Sequence, residues 1–414
     1  MTSATATSAE ANLPEDSVAL EKAKLSLSEA LGGHHNSLGF IRLVLASLVI
    51  FDHAFPLGGY GADIFYTLTH GQASLGSIAV AGFFAISGYL IAKSGMSADV
   101  VQFMWRRFLR IFPAYWAVLL LTAFVVAPII WVTQGDSLGS YFQLAPNGPV
   151  NYFTANWTLN IGTYGIYDIL TDTTPYGRQI HGSAFNGSIW TLIYEWYCYL
   201  LVAVFVAFGI LKRARVVVPI VTVFLFVLFI FYNVSQPTVS ALIPWLSDPY
   251  RIQLTLTFMY GACLAVYSKK IPYSDGLGIL SGLVMIFTLR YGGFSVVGTA
   301  AGAYFIMYLG ARLPRVLQRV GAKNDYSYGV YIYGFLVEQV LAHVGWYKLG
   351  YFPYTIIALI ISLGCAWLSW HVIEKRAMAL KDWGPGKGWK YWLSRGETIR
   401  NLRRTPKAEP VEKA

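Results

Sequence analysis

The first long apolar stretch of the chain contains an arginine and a histidine, two residue types that can take part in chemistry. Arg42 and His53 lie within residues 40–56, which are otherwise almost entirely apolar. Ionisable side chains inside a membrane span cost about 2.5–3.5 kcal/mol each on insertion scales, so they usually mark a site or a pathway. Their spacing corresponds to about 16 Å and about three turns of a helix, which places them on one face. A cation near one membrane surface and a proton-abstracting imidazole near the other suit a reaction across a membrane.

A carboxylate in a later apolar stretch is a second candidate for this reaction centre. Glu195 is expected about 10 Å below the outer surface and His53 about 5 Å below it, so we expect both side chains to share one cavity. There Glu195 would fix the His53 tautomer or take the proton itself. The alternative is a structural carboxylate paired with another helix. Asp52 is not expected to orient the His53 ring, because adjacent helical residues point about 100° apart.

Two arginines at the start of the third apolar stretch form a candidate phosphate-binding site. Arg107 and Arg110 are in i, i+3 positions and share a helix face, and guanidinium groups bind phosphates bidentately. The alternative is that they only anchor the helix end at the membrane surface. In the second stretch Ser87 is a further candidate contact for a ligand or a neighbouring helix, since Gly82 and Gly88 allow close approach.

Ten apolar stretches position these residues. The chain is 56% hydrophobic and 13% charged, with a mean hydropathy of +0.50, which excludes a soluble multidomain protein. About 20 apolar residues cross a bilayer. Lys and Arg are concentrated in the loops on one side, so the positive-inside rule predicts both termini in the cytosol. The predicted fold class is all-α, a polytopic membrane protein with about ten transmembrane helices at residues 38–56, 74–94, 110–133, 188–210, 216–234, 251–268, 276–291, 294–312, 326–345 and 352–373.

The hydropathy pattern also predicts three regions. Residues 1–37 are polar and are expected to be a disordered cytosolic lead without a cleavable signal peptide. Residues 38–375 form the membrane domain, and residues 376–414 form a basic cytosolic tail.

Two parts of the predicted membrane domain are irregular. Arg290 and a Gly-Gly pair interrupt the seventh and eighth stretches, so a re-entrant hairpin is an alternative to two spans there. The external loop at 133–187 is rich in Asn, Gly, Tyr and Thr, as expected of a lid or a surface for a polar substrate.

Composition and residue positions argue against nucleic acid and metal ions as partners, and against disulfides. The net charge of +10 comes from residues at the ends of spans, which is not the pattern of a nucleic-acid-binding protein. Cys198, Cys263 and Cys365 all lie in apolar stretches, so neither disulfides nor a metal site are expected. His371 and Glu374, at the cytosolic end of the last stretch, are expected to be interfacial anchors.

Five sequence blocks in this order resemble the acyltransferase-3 family of integral membrane acyltransferases. They cover essentially the whole membrane domain, about residues 38–375. Each block alone is weakly specific, whereas all five in order and at matching membrane depths are strongly specific. The blocks are Arg42 with the segment 53–57, the segment 76–91, the run from Arg107 and Arg110 to Tyr115, the segment 190–195 that ends at Glu195, and the segment 369–375.

The resemblance implies an activity and roles for the matching residues. Members of this family O-acylate bacterial surface polysaccharides, O-antigens and Nod factors. A member is expected in the bacterial cytoplasmic (inner) membrane. It would take an acyl group, in the first instance acetyl with succinyl as an alternative, from cytosolic acyl-CoA to a hydroxyl of an extracytoplasmic glycan or lipid-linked oligosaccharide, with no permanently bound cofactor. The resemblance implies that His53 is the catalytic base, that Arg42 is its essential partner, and that Arg107 and Arg110 contact the CoA phosphates.

The residues alone leave two other functional classes open. A glycan or small-molecule transporter or flippase would use the buried charges as a substrate path, although no internal repeat is visible. A metal-dependent glycosyltransferase would be expected to show clustered acidic residues in the first external loop, where Asp63 alone is a poor candidate. Within the acyltransferase interpretation, a ping-pong route through an acyl-His53 intermediate is the alternative chemistry.

Overall fold

Ten long helices occupy the ten stretches that the sequence predicts to span a membrane. The computed structural model describes residues 25–33 and 36–395, and these contain no β-strand. Helix α3 continues through a π-helical turn to Thr133, and α8 is preceded by a π-helical turn at Phe294–Gly298. The helices are α1 Leu38–Gly58, α2 Leu75–Gly95, α3 Val100–Leu121, α4 Leu192–Ala207, α5 Val217–Val234, α6 Pro249–Val266, α7 Asp275–Tyr291, α8 Thr299–Arg312, α9 Ser327–His343 and α10 Tyr351–Ser369.

Seven segments of the described residues are long and apolar enough to cross a membrane. This confirms the predicted all-α, polytopic membrane fold. Helices α6, α7 and α9 are not among the seven; α7 and α9 have 17 residues each, and almost every residue of α9 is buried in the bundle. A helix enclosed by protein can carry more polar residues than one that faces lipid. The seven segments are Leu38–Gly58, Leu75–Gly95, Val100–Thr133, Ser188–Ala207, Val217–Val234, Phe294–Arg312 and Tyr351–Asp382.

Helices α2 and α6 cross with their backbones in contact at two glycines. A Cβ atom on Gly88 would lie 1.9 Å from the carbonyl oxygen of Phe258, and one on Gly261 would lie 2.0 Å from that of Ala85. Small residues at such positions let transmembrane helices approach closely and pack well. The predicted close approach at Gly88 is confirmed, and it holds the neighbouring Ser87 at a fixed depth in the bundle.

At the end of the bundle where α1 begins, called here the inner end, one carboxylate joins several segments. Asp325 lies in the loop between α8 and α9, and its Oδ2 atom accepts hydrogen bonds from Arg42 of α1 and Arg110 of α3, both at 2.6 Å. Arg110 also pairs at 3.3 Å with Glu374, in the π-helical turn after α10. The hydroxyl of Ser327 donates to the other Asp325 oxygen at 2.5 Å. We call these five residues the inner charge network.

The polypeptide outside the ten helices is partly docked on the bundle. Within the lead predicted to be disordered, residues 25–33 are ordered: Leu27 is buried and its backbone N–H donates to the carbonyl of Ile271 at 2.9 Å. Part of the predicted tail packs against the start of α3, where the Trp105 indole donates to the carbonyl of Leu380 at 2.9 Å. The rest of the predicted lead and tail, at 1–24, 34–35 and 396–414, lies outside the described residues.

The long loop between α3 and α4 covers the opposite, outer end of the bundle. It contains three short helices, Leu138–Tyr141, Pro149–Asn156 and Pro175–Ile180. The hydroxyl of Tyr115 in α3 donates to the carbonyl of Asn156 at 2.6 Å, which fixes the loop to the helices below it. Helices α7 and α8, where a re-entrant hairpin was the alternative, are two helices packed against each other around the glycines of α7.

Replacing Gly88 by leucine should prevent α2 and α6 from packing. Overpacking against movable side chains typically costs about 1–3 kcal/mol, and here the obstacle is the carbonyl of Phe258. We expect a marked fall in the thermal unfolding temperature and in the yield of purified protein. Gly364→Leu on α10 is the matched control, since a Cβ at Gly364 meets no atom within 4 Å. Equal unfolding temperatures for the two variants would contradict the packing argument.

Replacing Asp325 by asparagine should destabilise the protein strongly, because the half-buried guanidinium of Arg42 loses its carboxylate partner and that of Arg110 keeps only Glu374. Breaking a buried ion pair typically costs about 3–5 kcal/mol. Asp382→Asn, which removes the carboxylate of the more exposed Arg106–Asp382 pair, should cost less than about 1 kcal/mol. Similar losses in the free energy of unfolding for both variants would show that the inner charge network does not hold the helices together.

The same network sets an expected pH range for stability. Burial raises the pKa of Asp325, but the guanidinium groups of Arg42 and Arg110 and the hydrogen bonds from Ser327 outweigh it and lower that pKa to about 2. A lowered carboxyl pKa stabilises the fold fully above the unfolded value of about 3.9 and loses that contribution as the pH falls toward 2. The Asp325 contribution is therefore complete throughout the neutral range.

Candidate active site

His53 lies between two cavities in the outer half of the bundle. The outer cavity has a volume of about 600 Å³ and lies beneath the α3–α4 loop, with Asn147, Thr163, Tyr164, Tyr176 and Ser183 among its lining residues. The middle cavity has a volume of about 220 Å³ and lies among α1, α2 and α6, with Asp52, Ser74, Ser77, Gln253 and Thr257 among its lining residues. Because His53 lines both, a molecule in either cavity reaches the same imidazole.

The His53 ring is held by packing. It meets the ring of Phe335 edge-on, with 5.2 Å between the centroids. Within residues 25–33 and 36–395, its buried Nδ1 atom has no hydrogen-bond partner. Asp52 is turned toward α2, since a Cβ on Gly76 would lie 2.4 Å from its Oδ2 atom. The prediction that Asp52 does not orient the ring is confirmed. A buried polar atom without a partner is costly and calls for a functional explanation.

A third, inner cavity contains three of the predicted site residues. Arg42, Ser87 and Glu195 line it together with Tyr328 and other residues of α9. The Ser87 hydroxyl donates to Oε1 of Glu195 at 3.0 Å. The volume of about 40 Å³ is sufficient for a water molecule but not for an extended organic chain. A larger ligand would therefore have to displace some of the side chains around it.

Glu195 and His53 do not share a cavity, so that expectation is wrong. Glu195 lines the inner cavity, whereas His53 lines the middle and outer ones; Val80 and Tyr331 form part of the wall between the inner and middle cavities. The helix that carries Glu195 begins with a 3-10 turn at Ser188–Thr191. Such a turn rises about 2.0 Å per residue instead of 1.5 Å, which places Glu195 deeper than a regular helix would.

The carboxylate of Glu195 has partners of its own at this depth. It accepts hydrogen bonds from Ser87 and, at 2.5 Å, from the hydroxyl of Tyr199 on the same helix. The guanidinium carbon of Arg107 lies 5.9 Å from the Tyr199 ring centroid. Glu195 is thus connected to α2 and to the arginine face of α3. This arrangement matches the alternative of a carboxylate paired with other helices.

The two arginines predicted to form a phosphate clamp have different surroundings. Arg110 is bound by the carboxylates of Asp325 and Glu374. Arg107 makes neither an ion pair nor a hydrogen bond with any other part of the described chain, and its buried Nε atom has no partner. Its guanidinium lies between the rings of Phe103 and Tyr199, 5.9 Å from each. Of the pair, Arg107 is the one whose guanidinium is not bound by a carboxylate.

Sequence reasoning missed two carboxylates of this region. Asp325 was not singled out, although an acidic residue in a loop otherwise rich in Lys and Arg was a usable signal. Glu374 was expected to be an interfacial anchor, but it is 2% exposed and pairs with Arg110. The described residues contain no group of three or more His, Cys, Asp or Glu side chains able to hold a metal ion, and the three cysteines are free thiols.

Comparison with known proteins identifies the family of the chain. Residues 35–371 match a family described as an acyltransferase domain, acyltransferase-3. The chain is 30% identical over 362 residues to an O-acetyl transferase of Shigella phage Sf6, a match covering 82% of this chain and 95% of the relative. It is 26% identical over 392 residues to Nodulation protein 10 of Rhizobium leguminosarum bv. viciae, covering 86% and 96%.

No solved structure matches the chain significantly. The family match extends over the helices that carry Arg42, His53, Arg107, Arg110 and Glu195, and thus over all three cavities. The phage relative is matched along nearly its whole length. The chain belongs to the acyltransferase-3 family and is a membrane-embedded O-acyltransferase.

Proposed function

We propose that the enzyme transfers an acyl group, in the first instance acetyl, from cytosolic acyl-CoA to a hydroxyl of an extracytoplasmic glycan in the bacterial cytoplasmic membrane. The observation that carries this proposal is the position of His53 between the middle and outer cavities. One imidazole there can serve a donor that arrives from the inner end and an acceptor that arrives from the outer end. The relative named an O-acetyl transferase supports acetyl as the group.

The outer cavity suits a sugar acceptor. Its lining combines hydroxyl and amide groups with aromatic rings, including Asn147, Thr163, Tyr164 and Tyr176. Hydroxyl and amide groups exchange hydrogen bonds with sugar hydroxyls, and aromatic rings pack against the apolar faces of sugar rings. Its volume of about 600 Å³ is within the usual range for small-molecule sites. A lipid-linked oligosaccharide would enter from the membrane surface beside the α3–α4 loop.

The donor would approach His53 from the inner end. A nucleotide cannot cross the bilayer, but the narrow pantetheine arm of acyl-CoA can pass between helices. We place the entrance at Arg107 and Arg110, beside the inner charge network, and Arg42, Ser87 and Glu195 line the inner cavity. In this proposal Arg107 binds donor phosphate, Arg110 and Arg42 hold the entrance through Asp325, and Ser87 with Glu195 bind polar groups of the arm. The arm must then pass the Val80 and Tyr331 side chains to reach the middle cavity.

The chemistry at His53 is general base catalysis of acyl transfer. The imidazole accepts the proton of the sugar hydroxyl as that oxygen attacks the thioester carbonyl carbon. A carbon–oxygen bond forms, the carbon–sulfur bond breaks, and the CoA thiolate leaves and receives the proton from the imidazolium. The hydroxyls of Ser77 and Thr257 line the middle cavity and donate to the carbonyls of Ser74 and Gln253, so they would turn from these acceptors to stabilise the developing oxyanion. An acyl-His53 intermediate is the alternative route through the same cavity.

Replacing His53 by alanine tests this function directly. General base catalysis contributes about 10²–10⁴-fold, so acetyl transfer from radiolabelled acetyl-CoA to glycan in bacterial membranes should fall by that factor, while the amount of protein stays near wild type. His343→Ala is the control, because His343 bonds Thr173 near the outer end of α9 and does not line the three cavities. Movement of glycan without covalent change in wild-type vesicles would instead support transport.

Replacing Arg107 by glutamine tests the donor contact. Hydrogen bonds to charged groups typically contribute about 1.5–3 kcal/mol, so we expect the KM for acetyl-CoA to rise by about tenfold or more, with the KM for the glycan unchanged. Arg106→Gln is a matched control on the same helix, since Arg106 is paired with Asp382. If the KM for acetyl-CoA were unchanged in the Arg107 variant, Arg107 would have only a structural role.

A further inference from the structure

A large cleft opens at the inner end of the bundle, away from the three cavities of the candidate active site. It has a volume of about 1280 Å³ and lies along the segment that connects α8 to α9. This inner cleft is lined by Arg315, Gln318, Arg319, Lys323, Asn324 and Tyr326, together with small and apolar residues of the same segment. Its volume exceeds that of a typical small-molecule pocket, so a nucleotide-sized ligand fits.

The cations of the inner cleft are available to a ligand. Arg315, Arg319 and Lys323 make neither an ion pair nor a hydrogen bond elsewhere in residues 25–33 and 36–395. No carboxylate is among the lining residues of the cleft. Nearby Arg312, in contrast, pairs with Asp275 at 3.4 Å. Three unpaired cations around a concave surface form a site for a multiply charged anion.

The inner cleft adjoins the proposed donor entrance. Asn324 and Tyr326, which line it, flank Asp325 of the inner charge network. The backbone of the cleft also touches α1 about one turn before Arg42: a Cβ on Gly39 would lie 2.7 Å from the carbonyl oxygen of Val320. The cleft therefore lies beside the start of α1, which carries Arg42 of the inner cavity. An anion held there can extend a thin chain toward Arg42.

We propose that the inner cleft binds the phosphorylated nucleotide end of the acyl donor through Arg315, Arg319 and Lys323. This inference rests on the proposed acyl-CoA donor and deepens it. CoA carries a 3′-phosphate and a diphosphate, which match three cations on one surface, and guanidinium groups bind phosphate oxygens bidentately. Tyr326 supplies an aromatic ring for the purine base. Because carboxylates already bind Arg110, the arginine pair of α3 alone cannot provide these contacts.

Binding of CoA analogues to the wild-type protein provides the first test. We would measure the Kd of CoA, 3′-dephospho-CoA and pantetheine by calorimetry with the full chain in nanodiscs of neutral lipid. 3′-Dephospho-CoA should bind more weakly than CoA because it lacks one phosphate. Pantetheine, which has no phosphate, should bind at least about 100-fold more weakly than CoA. Equal affinities for CoA and pantetheine would overturn the inference without any variant. Absence of CoA binding altogether would instead overturn the proposed donor.

A triple variant then locates the phosphate contacts. Replacing Arg315, Arg319 and Lys323 together by glutamine should weaken CoA binding by about tenfold or more and leave pantetheine binding unchanged. The control replaces Lys212, Arg213 and Arg215, three cations of another loop at the inner end, by glutamine. If the triple variant does not fold, the conservative Arg315→Lys and Arg319→Lys pair is measured, which keeps the charge but removes the bidentate geometry. If the cleft variant bound CoA with the affinity of the wild type, this inference would be overturned. The proposal that acyl-CoA is the donor would still stand.

A phospholipid headgroup offers the same phosphate chemistry, and a lipid measurement separates the two sources. Wild type and the cleft variant would be compared in nanodiscs containing phosphatidylglycerol, with native mass spectrometry to count retained lipids. The inner cleft would be assigned to lipid if wild type retained phosphatidylglycerol and the cleft variant did not, while the two proteins bound CoA equally well in neutral nanodiscs. Weaker CoA binding in neutral nanodiscs supports the nucleotide site.

Discussion

Two arginines from different helices share a single carboxylate oxygen at the inner end of the bundle. Arg42 of α1 and Arg110 of α3 both lie 2.6 Å from Oδ2 of Asp325, and Arg110 also reaches Glu374 after α10. Removing such charges from water is costly, so each is tolerable only while its partners remain in place. The helices that contribute these residues are therefore held in one arrangement at this end.

Helix α1 carries that constraint to the reaction centre. Its inner part holds Arg42 and its outer part holds His53, about 16 Å further along. The contact of Gly39 with the α8–α9 segment and the packing of Phe335 on the His53 ring fix the helix near both ends. A rod-like helix held in this way keeps the distance between the proposed donor entrance and the His53 imidazole constant. The proposed transfer depends on that distance, because the donor arm has a defined length.

The separation of Glu195 from His53 divides the site into two functional parts. Glu195 is bound by Ser87 and Tyr199 in the inner cavity, and His53 has no carboxylate partner in the described residues. The polar contacts proposed for the donor arm are thus separate from His53, the proposed base. Val80 and Tyr331 line both cavities, and in the proposed function the donor arm must pass these side chains.

The sequence by itself determined the helical elements and the family. Hydropathy located all ten helices, helical periodicity placed Arg42 and His53 on one face, and five short blocks identified the family. These features are local, since they depend on residues within a few turns of one another. The inner location of the cationic loops also follows from local composition.

Only the tertiary structure decided which residues meet. Asp325 binds Arg42 across 283 positions of sequence, and no local pattern specifies that partner. The depth of Glu195 depends on a short 3-10 turn, and the cover over His53 depends on how the α3–α4 loop folds back. Ion pairs, cavities and loop positions depend on the packing of distant helices, where the close contact of Gly88 with Phe258 sets the spacing. A single sequence records the side chains for such contacts but not the helix arrangement that brings them together.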